Sequence, residues 1–446
     1  MDAGALRLRE PLEPLSRGER IAAVALALFV ALTRWPAVSR SLWDWDEALF
    51  ALALRDYDVV AHHPHPPGFP LWIGMARLIP LDAFHALQSI AFVSSLLVFP
   101  AMFFLARELR ARVFVAMAAA LLLAFFPNVW FFGGTAFSDV PSMVLALFAC
   151  ALLLRGCRSD GAFLCGAIVL GVAAGYRPQN LLIGFAPFVL AFLHRRRTGV
   201  FAALVIAIIV VASFGTAASL SGGWSEYRAA LQKHEQYIRE TDSFLAPRHP
   251  GLLQVADDFF VRPYRAPVIN VIVTILALFG LRRTRLALLI FGPFLLFAWL
   301  YLDFHSASRF SIAYMPLFAL LAAEGLPRRG GAIVLTILLA LLMVWTWPVL
   351  RIVHTTLSPP VAALQSIPRG VTVYVDERLA AHAALLLPQH ERHVVRPQRG
   401  LTLEPNAVLV REGASIAPGA TVYKRERDRL AAVARERYFE VSVIRR

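Results

Sequence analysis

Charge is scarce in this 446-residue sequence: Asp, Glu, Lys and Arg make up 17% of it, against 58% hydrophobic residues. Soluble chains carry about 25% charged residues, so a water-soluble globular protein is excluded. Cysteine is nearly absent as well. The three present, Cys150, Cys157 and Cys165, lie in or between two consecutive apolar runs. That placement excludes a structural disulfide in the external segments, and no Cys/His spacing resembles a zinc site. Also missing is a small-residue cleavage site after the first apolar run. With its polar, mixed-charge approach, MDAGALRLREPLEPLSRGER, that run reads as a retained first helix and not a removed signal peptide.

What is abundant is long apolar sequence. Eleven candidate spans follow one another: Ile21–Val38, Ala83–Leu105, Val113–Trp130, Val140–Leu154, Ala162–Tyr176, Asn180–His194, Val200–Leu220, Ala266–Leu281, Leu286–Leu302, Ser311–Leu326 and Ala332–Leu350. Several approach the roughly 20 residues needed to cross ~30 Å of hydrocarbon. The fourth to sixth are short. The formal charge of +14 comes almost wholly from arginine, and the arginines mark alternate loops. Arg7, Arg9, Arg17 and Arg20 precede the first span. Arg107, Arg110 and Arg112 follow the second, Arg155 and Arg158 the fourth, and Arg195, Arg196 and Arg197 the sixth. Arg282, Arg283 and Arg285 follow the eighth, and Arg328 and Arg329 the tenth. Under the positive-inside rule these loops and the N-terminus are cytoplasmic. The basic composition is therefore a topology and lipid signal, with no nucleic-acid partner implied.

The remaining loops fall on the outside, and they are the elaborate ones. Loops held on a rigid scaffold carry most function, so the chemistry is expected there. The first, Ser39–Asp82, places Asp44, Asp46 and Glu47 directly after the first span, between Trp43 and Trp45. Carboxylates at a membrane edge are costly unless solvated, paired or used. The tryptophans alone would read as interfacial anchors. A helix of FALALRD type and the rigid turn HHPHPPGFP come next, carrying His62, His63 and His65. These histidines are expected in the wall of a substrate pocket. A divalent cation is possible, but no metal-ligand pattern is present. The second external loop brings Asp139, a helix cap or a site residue. The third brings Arg177 and Gln179, and the fifth Asp303, His305 and Arg309. An arginine on the outside departs from the positive-inside pattern and suggests an anionic partner. Its guanidinium fork suits phosphate oxygens. In the long Ser221–Arg265 loop, WSEYRAALQKHEQYIRETDSF reads as an amphipathic interfacial helix, with Tyr227, His234 and Tyr237 as candidate contacts.

An external carboxylate facing external arginines suits one kind of chemistry. A sugar on a lipid phosphate carries its own leaving group, so transfer needs a general base for the acceptor hydroxyl and cations for the departing phosphate. It does not need a hydrolase's acid/base pair. Single displacement inverts the anomeric centre.

These residues resemble the GT-C superfamily of membrane glycosyltransferases, which includes the protein O-mannosyltransferases and the aminoarabinose transferases of lipid A. The resemblance rests on the acidic pair Asp46-Glu47 after the first span, the turn His63-Pro64-His65-Pro66-Pro67-Gly68, Asp139 in SDVPS, Arg177 between the fifth and sixth spans, and Arg309 in SRFSIAYMP. It covers Ile21 to Leu350. It implies Asp46 as catalytic base with Glu47 as rival, and Asp139 beside them, while Arg177 and Arg309 would hold the carrier phosphate. The pocket wall is read from the loops themselves and not from the resemblance: His63, His65, Gln179 and His305.

The expected architecture is an α-helical polytopic membrane protein of about eleven transmembrane helices with a small C-terminal α/β domain outside. Residues 1–20 would be cytoplasmic, 21–351 the membrane domain and 352–446 the extracytoplasmic domain, whose strands are read at GVTVYVD, AVLVRE, ATVYK and YFEVSVI and whose helices at ERLAAHAALLLP and RDRLAAVARER. In that domain Asp376, Glu377 and His382 read as polar surface before a site. The expected location is a bacterial inner membrane with the N-terminus cytoplasmic. The expected partners are a polyprenyl-phosphate-linked sugar donor, a lipid, glycan or protein acceptor, and membrane lipids. Two alternatives stay open: a lipid-linked glycan flippase, and a ligase using a lipid-pyrophosphate donor.

Overall fold

The computed structural model describes residues 10–264, 267–281, 285–396, 403–415, 417–430, 433 and 438–445. Arg7, Arg9, Arg265, Arg282, Arg283 and most of the expected helix at 427–437 lie outside the described residues. Each of the eleven apolar runs is helical. Among the described residues four helices are long and apolar enough to cross a membrane: Arg17–Ala37, Asp139–Gly156, Arg196–Leu220 and Gly331–Gln365. Two bent helix pairs pass the same test when each is taken together, and five shorter apolar helices have 10–17 residues. The protein is thus a polytopic helical membrane protein with a small C-terminal sheet domain.

The departures from straight spans have local causes. Ala83–Leu96 and Val98–Glu108 meet at 44°, where the ring of Pro100 opposes the carbonyl of Leu96 four residues back. Phe304–Ala313 and Met315–Glu324 meet at 59°, with Pro316 at the start of the second piece. The expected span Val113–Trp130 stops at Phe125. Phe126 precedes Pro127 and takes φ −58°, ψ 131°, the extended geometry that proline imposes on its predecessor. A short helix, Pro127–Phe132, follows.

The Asp139–Gly156 helix is the centre of the bundle, with 78% of its apolar stretch inside the protein against 17% for Arg17–Ala37 and Arg196–Leu220. It therefore carries Asp139, at its first position, into a protein-lined interior and not to lipid. The Gly331–Thr355 helix runs through position 351, and the chain leaves it at the extended residue Thr356. A five-stranded sheet follows: β1 Thr372–Asp376, β2 Arg392–Val395, β3 Ala407–Glu412, β4 Ala420–Lys424 and β5 Glu440–Arg445, in the order β2-β1-β3-β5-β4. β1 is parallel to β2 and β3, and β5 is antiparallel to β3 and β4. The edge strand β2, with its exposed middle residues, had no alternating apolar signal in the sequence.

One close approach joins the 39–82 loop to the bundle. The Ser39 N–H donates to the Gly134 carbonyl at 2.8 Å, and the Gln88 amide donates to Gly134 and Ser39 oxygens at 2.9 and 2.7 Å. A Cβ at Gly134 would stand 1.9 Å from the Ala37 carbonyl oxygen, a separation only glycine avoids. Gly134→Ala is expected to destabilise the detergent-solubilised protein by about 3 kcal/mol or more, read as a lower thermal midpoint. An unchanged midpoint in a melting experiment would contradict the close approach.

Candidate functional site

The acidic motif folds as a helix start. Asp44 is the N-cap of the Trp45–Arg55 helix, and its Oδ1 accepts from the Asp46 N–H at 3.0 Å. Glu47 completes the capping box. Its carboxylate accepts from the N–H groups of Trp43 (2.6 Å), Asp44 (3.0 Å) and Ala136 (2.9 Å). Burial pushes the Glu47 carboxyl up to about 7 against the pull of these donors. Glu47 is thus occupied as a fastener. It faces a void of about 30 Å³, shared with His305, and not the main cavity. Trp43 is no lipid anchor either: it is buried against Phe439 of the sheet domain, ring centroids 5.2 Å apart.

Asp46 turns the other way, into a cavity of about 1360 Å³. There its Oδ2 meets Nη2 of Arg309 at 2.6 Å. Arg309 Nε lies 3.9 Å from Asp139 Oδ2, which also receives Arg177 Nη2 at 2.8 Å. Arg177 Nε donates to the Ser138 hydroxyl at 3.0 Å, so Ser138 serves the arginine and does not cap the Asp139 helix. All four charged side chains are at most 15% exposed. Aromatic faces fix the guanidiniums further, Phe137 and Phe310 at 4.6 and 4.8 Å from Arg309, and Phe69 at 5.3 Å from Arg177. Asn128 holds the turn bearing Arg309 by donating to the Ser308 carbonyl at 2.9 Å and the Ser311 hydroxyl at 3.0 Å.

The proline-rich turn supplies another wall. Gly68 has φ +102°, and a Cβ there would lie 2.5 Å from the Tyr57 hydroxyl. That hydroxyl donates to the Gly68 carbonyl at 2.9 Å, and Tyr227 donates to the Pro67 carbonyl at 2.8 Å. The turn is thereby pinned between the first loop and the Trp224–Tyr237 helix. His65 Nδ1 stands 3.7 Å from Asp46 Oδ1, too far for a hydrogen bond. Burial holds the His65 imidazole down at about 3 although Asp46 pulls it upward. His63, Gln179, His62 and His234 line the same cavity. His305, expected with them, does not.

Two further walls complete the cavity. Phe294, Phe297, Tyr301 and Leu302 form an apolar side. Glu377, Arg378, Arg392 and Tyr438 of the sheet domain, with Lys233 and Arg239 of the 221–265 loop, form a polar one. Arg378, Arg392 and Tyr438 had no signal in the sequence, because their role depends on where that domain docks, and Glu377, read as polar surface, joins the cavity for the same reason. Among the described residues no group of three or more His, Cys, Asp or Glu side chains is placed to hold a metal ion. The donor set does not suit a divalent cation, since Asp46 and Asp139 are both matched by guanidiniums.

No protein-family model matches the sequence, and a search of curated proteins finds no match. Solved structures do resemble it. ArnT from Cupriavidus metallidurans bound to undecaprenyl phosphate superposes with a TM-score of 0.54 at 15% identity, covering 96% of this chain and 98% of that one. The arabinofuranosyltransferase AftD from Mycobacteria gives 0.51 at 16% identity, covering 98% and 40%. The Archaeoglobus fulgidus oligosaccharyltransferase tethered with an acceptor peptide gives 0.50 at 12% identity, covering 84% of this chain. The chain spans 64% of that last protein's length. All three are GT-C glycosyltransferases, and the likeness shows that this chain has their fold.

The buried charge network predicts strong coupling. Removing one member leaves an unmatched buried charge, costing about 3–5 kcal/mol. Asp139→Asn is expected to fall by that amount in denaturant titration, and Asp139→Asn with Arg177→Met to recover most of it. Additive losses would show that the pair is not coupled. Acid sensitivity is a second expectation. His65 is held at about 3 by burial, and buried His382 at about 4. Unfolded histidine titrates near 6.5, so the unfolded state takes up protons first. Stability is therefore full above pH 6.5 and lost as pH falls towards 4, by about 1.4 kcal/mol per unit for each histidine. Thermal midpoints of His65→Gln between pH 7 and 5 should show a shallower slope than the native chain. An identical slope would refute the assignment.

Proposed function

We propose that this chain, built on the GT-C fold, transfers a sugar from a polyprenyl-phosphate carrier to an acceptor hydroxyl at the outer face of a bacterial inner membrane. The observation that carries the reading is the contact of Asp46 with Arg309 at 2.6 Å on the floor of a large cavity. One wall of that cavity is apolar and fits a lipid. Another part of the lining is polar and fits a hydroxylated acceptor. The N-terminus and the arginine-rich loops are cytoplasmic on this reading, and the cavity faces outward.

The chemistry follows from the charges. The acceptor hydroxyl gives its proton to the Asp46 carboxylate as its oxygen bonds to the anomeric carbon. The bond from that carbon to the phosphate oxygen breaks, and the electron pair leaves with the polyprenyl phosphate. The sugar arrives by attack from the face opposite the leaving group, so its configuration inverts. The phosphate gains one negative charge as it leaves. Protonation of Asp46 removes the negative partner of Arg309 in the same step, and the freed guanidinium stabilises the phosphate. Arg177, tethered through Asp139 and Ser138, supplies the second cation. His65 and His234, neutral and facing the cavity, suit hydrogen bonds to sugar hydroxyls.

The test uses purified protein in lipid nanodiscs with undecaprenyl phosphate as probe, and labelled undecaprenyl-phosphate hexoses and pentoses as donors. Asp46→Asn is expected to keep undecaprenyl phosphate binding within ~3-fold and to lose transfer by ~10²-fold or more. Arg309→Gln should weaken both. Full transfer by Asp46→Asn would sink the reading. Consumption of lipid-pyrophosphate glycans alone would replace it with a ligase.

A further inference from the structure

The segment leading to Asp46 is held from behind by the C-terminal part of the chain. The Arg40 N–H donates to the Val353 carbonyl at 3.0 Å, and its guanidinium to the Thr355 carbonyl at 2.8 Å. The Ser358 N–H donates to the Ser41 hydroxyl at 2.8 Å, and the Ser358 hydroxyl to the Leu42 carbonyl at 2.5 Å. The Trp43 ring is enclosed by Phe439 at 5.2 Å and by the Arg425 guanidinium at 5.1 Å. Finally His382, fully buried in the Ala380–Leu386 helix, donates from Nε2 to the Trp43 carbonyl at 2.8 Å.

That last bond has a particular place. Trp43 immediately precedes the N-cap, so its carbonyl lies outside the helical hydrogen-bond ladder, which begins with Asp44 accepting from Ala48. A buried carbonyl needs a donor, and His382 supplies it. The Trp43 N–H is taken by Glu47. Both backbone polar groups of this residue are thus fixed, one from within the loop and one from the sheet domain. Three residues on, Asp46 meets Arg309. The helix of His382 has a second face as well: Ala380, Ala381 and Ala384 line the main cavity.

We propose that His382 is a positioning residue, which through the Trp43 carbonyl holds the first turn of the Trp45–Arg55 helix and so sets Asp46 against Arg309. The sheet domain is then a working part of the active site and not a detachable cover. This rests on the reading of Asp46 as the base. A displacement of about 1 Å at a reacting group can cost ~10²-fold in rate, and the Trp43 peptide is close enough to pass such a displacement on. Leucine at 382 would fill the space but give no donor. Glutamine would offer its amide N–H in place of Nε2.

The experiment uses the full chain in nanodiscs. Amide hydrogen exchange is followed over residues 40–50, with undecaprenyl phosphate binding and transfer from labelled undecaprenyl-phosphate sugars measured alongside. His382→Leu is expected to speed exchange over this segment by ~10-fold or more. It should lower kcat by ~10- to 100-fold, with KM for the donor and undecaprenyl phosphate binding within ~2-fold. His382→Gln should stay close to native in all of these. If His382→Leu does not fold, His382→Asn, whose amide falls short of Trp43, is expected to show the same changes more mildly. Native exchange and kcat in whichever of these two variants folds would overturn the proposal, and so would a His382→Gln as slow as His382→Leu. Exchange reports on the turn without any turnover. If the native chain consumes no polyprenyl-phosphate sugar, the Asp46 reading fails by itself, and the exchange result still decides whether His382 holds the turn.

Discussion

The ion pair between Asp46 and Arg309 constrains the rest of the molecule. Its partners come from opposite ends of the membrane region, one just after the first span and the other within the bent tenth. Neither charge is tolerable alone at the edge of hydrocarbon. The 39–82 loop must therefore fold back over the bundle, and the turn at 304–313 must stop short of becoming a straight span. The 59° bend before Met315 lets Arg309 sit on the floor of a cavity and not inside a helix wall. Asp139 and Arg177 extend the pair into a neutral chain of alternating charges, anchored on the most buried of the four long apolar helices.

Much of this was legible in the sequence because membranes enforce coarse rules. The helices showed as apolar runs, and the loops that build the cavity showed as the ones rich in acids, histidines and prolines. Asp46, Asp139, Arg177 and Arg309 stood out because ionisable residues beside apolar runs are rare. The bends were less visible. Pro100, Pro127 and Pro316 were in plain view, but a proline in an apolar run can kink a helix, end it or begin one, and neighbouring helices decide which.

Long-range partners were not legible at all. Nothing local tells that Glu47 will accept from the Ala136 N–H, that Trp43 will be covered by Phe439, or that His382 will face inward. A histidine in a short helix of a soluble-looking tail reads as surface. It becomes a fully buried donor only once the tail docks on the first loop. The edge strand β2 was missed for a related reason, since its exposed middle residues carry no alternating apolar pattern.

Asp46 and Glu47 show how strongly one turn of backbone sorts chemically similar groups. Adjacent residues on a helix point about 100° apart. Once Asp44 takes the N-cap, Glu47 falls at the position from which a carboxylate reaches back to the N-cap N–H. It is then fully occupied by backbone donors and cannot receive an acceptor's proton without releasing them. Asp46, one residue earlier, is turned about 100° away, where it meets a guanidinium and the cavity. Exchanging the two residue types would not exchange their roles, because aspartate at the later position is one methylene too short to close the box. On the proposed mechanism the base is thus selected by helix geometry before any pKa enters, and the capping box that looks purely structural aims it.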